Sequence, residues 1–188
     1  ETVLNIGLND DSVLGLAGMA GERFAWDSYR RLLQMFGKTV LGIDSEVFEA
    51  RIEQVKHARR IVEDTELTAA DLAALCGSFK TAIFNATGER FPQDPRQQLD
   101  AAVEAVFRSW SGDRAVLYRR QERIPNDLGT AVNIQTMVFG NMSDDSGTGV
   151  CFTRDPSTGD VGVYGDFLMN AQGEDVVAGI RNTRPLHE

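Results

Sequence analysis

Two arginines stand side by side at Arg30 and Arg31, inside the run Arg23-Phe24-Ala25-Trp26-Asp27-Ser28-Tyr29-Arg30-Arg31. A guanidinium is a planar fork of donors that stays charged at any physiological pH, so such a pair suits bidentate recognition of phosphate. Asp27 lies four residues before Arg31, the spacing of a surface ion pair worth roughly 0.2–0.5 kcal/mol. On residue types alone the surface pair is the simpler account. A second group carries oxygens: Asp166, Gln172 and Glu174 come close together after a strand-like run. Those oxygens can accept hydrogen bonds from a ribose or sit near a magnesium ion. Taken alone, a solvated loop explains them more simply.

Other chemistries find little support. The stretch Asp144-Asp145-Ser146-Gly147-Thr148-Gly149 lacks the lysine and following hydroxyl of a phosphate loop and leads into a strand, so it reads as a connecting turn freed by two glycines. The two histidines are His57, on the polar side of a charged helix, and His187, near the end; no serine-hydrolase triad can be built from them. The same scarcity of His and Cys excludes zinc sites of ordinary spacing. No catalytic residue and no metal ligand is therefore assigned. Cys76 and Cys151 cannot make a disulfide framework and fit a reducing compartment, which reads as cytoplasmic. With 28 acidic and 19 basic side chains the formal charge is −9. That charge opposes extended contact with nucleic acid or an anionic membrane, and every apolar run is interrupted well short of a spanning length of about 20 residues.

Elements must hold these groups in place, and 188 residues are enough to bury about 70% of the unfolded surface. Ala25, Tyr29, Leu32, Leu33 and Phe36 recur at helical steps, so the spacing predicts a helix from Arg23 to Phe36, ended by Gly37. A second helix follows from Phe48, Ile52, Val55 and Val62. Thr68 with Asp71 makes a capping box ahead of Leu72, Leu75, Phe79 and Ile83. Asp94, Pro95 and Gln97 open a fourth helix whose inner face is expected at Leu99, Val103, Val106, Phe107 and Trp110. After Gly112 the period changes from about 3.6 to 2. Arg114 to Arg119, Thr130 to Phe139, Val150 to Thr153 and Val161 to Phe167 then read as strands, with Asp155 to Gly159 as a hairpin loop. The end from Glu174 to Ile180 is ambiguous. The expectation is an α+β chain: a mainly helical subdomain over residues 1–112 and an antiparallel-rich sheet over residues 113–188.

Longer runs carry a resemblance. Asn5-Ile6-Gly7-Leu8-Asn9-Asp10, the Arg23 to Arg31 run, Ala105-Val106-Phe107-Arg108-Ser109-Trp110 and Gly129-Thr130-Ala131-Val132-Asn133-Ile134-Gln135 resemble the pyruvate, phosphate dikinase family. So do Met137-Val138-Phe139-Gly140-Asn141, Ser146-Gly147-Thr148-Gly149-Val150, Phe152-Thr153-Arg154 and the run from Asn170 to Arg181. The runs occur in family order over nearly the whole chain.

The resemblance implies a piece of an ATP-grasp-type nucleotide-binding domain with an inserted helical subdomain. In the family, ATP and inorganic phosphate supply phosphoryl groups, a phosphohistidine domain carries one, and pyruvate becomes phosphoenolpyruvate while AMP and diphosphate form. By the same resemblance Arg31 matches an arginine of the nucleotide and phosphate site, with Arg30 its neighbour. Glu174 matches an acid there, with Gln172 beside it. Asp166 stands where the family usually has glutamate. ATP and Mg2+ are expected for a homo-oligomeric parent enzyme, with the lysine loop before this sequence and the magnesium ligands after it. An opening at Glu1 without methionine fits an internal piece, which by itself is expected to be inactive and to hold no cofactor. A phosphoenolpyruvate synthase piece and a non-catalytic nucleotide-binding module are the alternatives.

Overall fold

The computed structural model describes residues 2–177, 179 and 181–186. Ile180 and His187, both named above, lie outside the described residues. Chain contacts divide the molecule into two compact units, Glu1–Gln135 and Thr136–Glu188.

The first unit is helical. Its helices are α1 (Ser12–Ala20), α2 (Glu22–Thr39), α3 (Glu46–Arg59), α4 (Ala69–Thr87), α5 (Pro95–Ser109) and α6 (Asp113–Glu122). Helix α2 packs on α1 and α4, and α3 packs on α4. Leu32, Leu33, Phe36, Leu72, Leu75, Phe79 and Ile83 meet in the core, as their helical spacing requires. Aromatic rings lock the contact: Phe48 and Phe79 stand edge to face at 5.0 Å, and Phe36 does the same with Phe91 at 5.3 Å.

Gly37 does not end α2, as the spacing predicts; it lies within the helix, which runs on to Thr39. A Cβ at Gly37 would stand 2.3 Å from Cζ of Phe48, so glycine is there for the ring of α3 and not for a left-handed cap. Helix α3 stops at Arg59 because Arg60 turns left-handed, and Val62, expected in that helix, is exposed beyond it. The box before α4 forms as read. Thr68 Oγ1 accepts from the Asp71 amide at 3.2 Å, and Asp71 accepts from the Thr68 amide at 3.2 Å.

Helix α5 begins on Asp94, which accepts from the Arg96 amide at 2.8 Å. Its inner stripe is rotated from the expected one, however: Gln98, Ala102 and Ala105 are buried, whereas Phe107 is exposed. The reason is polar. Gln98 accepts from the Gly7 amide at 2.8 Å and donates to the carbonyls of Leu8 and Pro92 at 3.0 and 2.8 Å. Satisfying this fully buried amide turns the helix toward the Asn5 to Asp10 loop.

The expected strand from Arg114 to Arg119 is helix α6. Asp113 in its first turn and Arg119 and Arg120 in its last complement the helix dipole. Arg119 is buried, with its guanidinium carbon 3.9 Å from the Trp110 ring centre and its Nε donating to Asn126 at 3.1 Å. Only the helix brings Arg119 to both partners.

The second unit holds β1 (Gly147–Arg154), β2 (Val161–Met169), the short helix α7 (Gly173–Val177) and β3 (Arg184–Pro185). They form an antiparallel sheet in the order β1-β2-β3. The hairpin is as expected: Asp155 accepts from the amides of Ser157 and Thr158 at 2.7 and 3.1 Å, and Gly159 takes positive φ. Ser143 to Ser146 form the turn before β1, with the Ser146 amide on the Ser143 carbonyl at 3.1 Å. Thr130 to Phe139 alternates like a strand but is none among the described residues, and Ile134 and Val138 stay exposed. Alternation supplies propensity; a strand also needs a partner for its backbone groups.

Candidate functional site

Asp27, Arg30, Arg31 and Gln34 follow one another on one face of α2, at the spacing that brings helix side chains together. One carboxylate serves both arginines. Asp27 Oδ1 accepts from Nε and Nη2 of Arg30 at 3.0 and 2.7 Å, while Oδ2 accepts from Nε of Arg31 at 3.1 Å. Arg30 Nη1 donates to Gln34 Oε1 at 2.8 Å. The group is not a surface pair: Asp27 and Arg30 are buried, and the Arg31 side chain is 15% exposed. Burial by itself would raise the Asp27 carboxyl, but the two guanidiniums and their hydrogen bonds outweigh it and hold it below the usual carboxylate range. The shared role of Asp27 is missed by a reading that pairs it with Arg31 alone. Its signal is legible: an acid three residues before one arginine and four before the next.

The oxygen-bearing residues separate into two places on the second unit. Asp166 is exposed on β2, opposite Val150 and Pro185. Gln172 is buried just before α7; its amide donates to Asp175 at 2.9 Å and its Nε2 to Asn141 at 3.3 Å. Glu174 sits half-buried in the first turn of α7. Gln172 and Glu174 thus share one helix start. The loop before it is pinned, since Thr148 Oγ1 donates to the Ala171 carbonyl at 2.7 Å and the Ala171 amide to the Gly140 carbonyl at 2.9 Å. A Cβ at Gly140 would fall 2.5 Å from that Ala171 oxygen. Asn141, Thr148 and Asp175 are therefore supporting residues that residue types and spacing do not single out.

Among the described residues no group of three or more His, Cys, Asp or Glu side chains could hold a metal ion. The residues present do not form a magnesium set, and no chemical step is assigned to one. No helix among the described residues is long and apolar enough to cross a membrane. His57 is exposed on α3. Cys76 and Cys151 are free thiols, one buried and one exposed.

Comparison of the whole chain supplies what local geometry leaves open. A family model described as pyruvate phosphate dikinase, AMP/ATP-binding domain, matches residues 1–185. The chain belongs to this family. Among similar proteins are pyruvate, phosphate dikinases named as chloroplastic from Mesembryanthemum crystallinum, 56% identical, and Flaveria trinervia, 58% identical, each over 99% of this chain and 20% of the relative. Pyruvate, phosphate dikinase 1, chloroplastic, of Zea mays is 54% identical over the same shares. The chain spans about a fifth of the length of the curated relatives it matches.

Two of the runs that carry the family resemblance are structural devices as well as candidate ligands. The Asn5 to Asp10 run is the loop tied by Gln98, and the Arg23 to Arg31 run builds the Asp27 clasp. Within the AMP/ATP-binding domain family, then, the first unit presents a braced arginine and the second a pinned helix start.

Proposed function

We propose that this chain is part of the nucleotide-binding region of a pyruvate, phosphate dikinase, built on an ATP-grasp-type plan. The parent enzyme interconverts ATP, phosphate and pyruvate with AMP, diphosphate and phosphoenolpyruvate through a phosphohistidine domain. It works with magnesium and, by the family resemblance, as a homo-oligomer. The observation that carries this reading is identity of 54–58% over 99% of the chain to proteins of that name. In the proposal Arg31, with Arg30 behind it, serves phosphate, while Gln172, Glu174 and the shorter Asp166 serve the nucleotide. The cationic excess of two guanidiniums over one carboxylate at Asp27 supports the first assignment, because an anion is drawn to unbalanced positive charge. The free thiols Cys76 and Cys151 support a reducing compartment, with the cytoplasm as the place of action.

The parent enzyme tests the activity. Release of AMP from ATP that depends on added inorganic phosphate and pyruvate is the expected result; phosphate-independent release would move the assignment to a synthase that uses water. This chain by itself tests the share of the site it supplies. Phosphoryl transfer relies on positioned cations and metal around the phosphates, and calorimetric titration with magnesium-ATP is expected to show no binding. Micromolar affinity would show that these residues suffice.

A further inference from the structure

We infer that Asp27 is a positioning residue for Arg31, and that Arg30 is its brace and not a second phosphate ligand. The inference rests on the proposed contact between Arg31 and phosphate.

The two adjoining arginines are not equivalent. Arg30 is 4% exposed and sends Nε and Nη2 to Asp27 and Nη1 to Gln34. Each of its three guanidinium nitrogens is thereby directed at a neighbour on α2. Arg31 is held differently, through Nε alone on the other oxygen of the same carboxylate, at 3.1 Å. Nε lies at the root of the guanidinium, so a bond there sets the plane and heading of the fork. A long side chain fixed in this way loses less rotamer freedom when it meets a ligand. The carboxylate is itself immobile, since Oδ1 already carries two bonds from Arg30 and the residue is 6% exposed. The chain of contacts runs Gln34, Arg30, Asp27, Arg31, at the helical spacing that places all four on one face. One carboxylate between two guanidiniums leaves a positive charge, so the clasp aims Arg31 without neutralising the site.

The test uses the full-length parent enzyme with inorganic phosphate as the varied substrate. Asp27→Asn is expected to raise KM for phosphate by about 10–100-fold, the scale of a misplaced substrate clamp, with cooperative unfolding retained and KM for pyruvate unchanged. Asp27→Asn combined with Arg31→Lys is expected to be no worse than Arg31→Lys alone, because both remove the same aimed fork. Additive losses, or a normal KM for phosphate in Asp27→Asn, would overturn the inference. If Asp27→Asn does not fold, Asp27→Glu keeps the charge and shifts it by one methylene; a raised KM for phosphate supports positioning, and a normal one refutes it. A normal enzyme carrying Arg31→Lys would instead strike at the phosphate contact itself, whatever Asp27 does.

Discussion

Gly37 and Phe48 touch as knob and notch: the ring tip of Phe48 fills the space that a Cβ on Gly37 would need, at 2.3 Å. Glycine in a helix interior normally costs about 1 kcal/mol relative to alanine, so its presence in α2 marks a packing demand that outweighs propensity. Gly37→Ala should therefore destabilise the first unit by about 1–3 kcal/mol through overpacking, despite the gain in helix propensity. Urea unfolding measures this. Phe48→Leu in the same background should recover part of the loss, and a stabilised Gly37→Ala chain would show the notch to be slack.

Gln98 joins α5 to the Asn5 to Asp10 loop by three hydrogen bonds. Gln98→Leu keeps the volume but leaves the Gly7 amide and two carbonyls without this partner, at a cost of about 1–3 kcal/mol. Amide exchange at Gly7 should speed up in that variant more than exchange within α4. Unchanged protection at Gly7 would mean that the loop is held by other contacts.

Acid should loosen the first unit through two carboxylates. The Thr68 hydroxyl is the largest influence on Asp71; burial opposes it and Arg59 adds to it, and the net effect lowers the carboxyl. At Asp27 burial is the largest influence and would raise the carboxyl, but Arg30 and Arg31 prevail. In both, the folded value lies below the unfolded one of about 3.9. Their stabilisation is thus complete above about pH 4 and is lost as pH falls through the folded values. Asp71→Asn should flatten the acid limb of a stability profile, and an unchanged limb would rule this source out.

The two thiols should react on different timescales. Cys151 is exposed, whereas Cys76 is buried and burial pushes its thiol up to about 12. At pH 8 a disulfide reagent is expected to label one thiol of the native chain quickly and the second only on unfolding. Cys151→Ser should abolish the fast phase; a fast phase surviving in that variant would place the reactive thiol at Cys76.

Local signals in the sequence sufficed where the structure is decided by a few neighbouring residues. Thr68 with Asp71, Asp94 with Pro95, and the Asp155 to Gly159 turn all form as read, because their hydrogen bonds close within four residues. The helical stripes of α2 and α4 were equally plain, since burial follows their period. The arginine pair was visible, and so was an acid at the right spacing. Tertiary contacts decided the remainder. Gly37 continues a helix because Phe48 needs its space, and α5 rotates because a buried glutamine has partners in a distant loop. Arg114 to Arg119 alternates like a strand yet coils, bringing Arg119 to Trp110 and Asn126. Asp27 was turned from a weak surface partner into a buried clasp by the walls around it, which no spacing along α2 can encode. Spacing tells which groups can meet; burial sets what the meeting is worth, and burial belongs to the assembled fold.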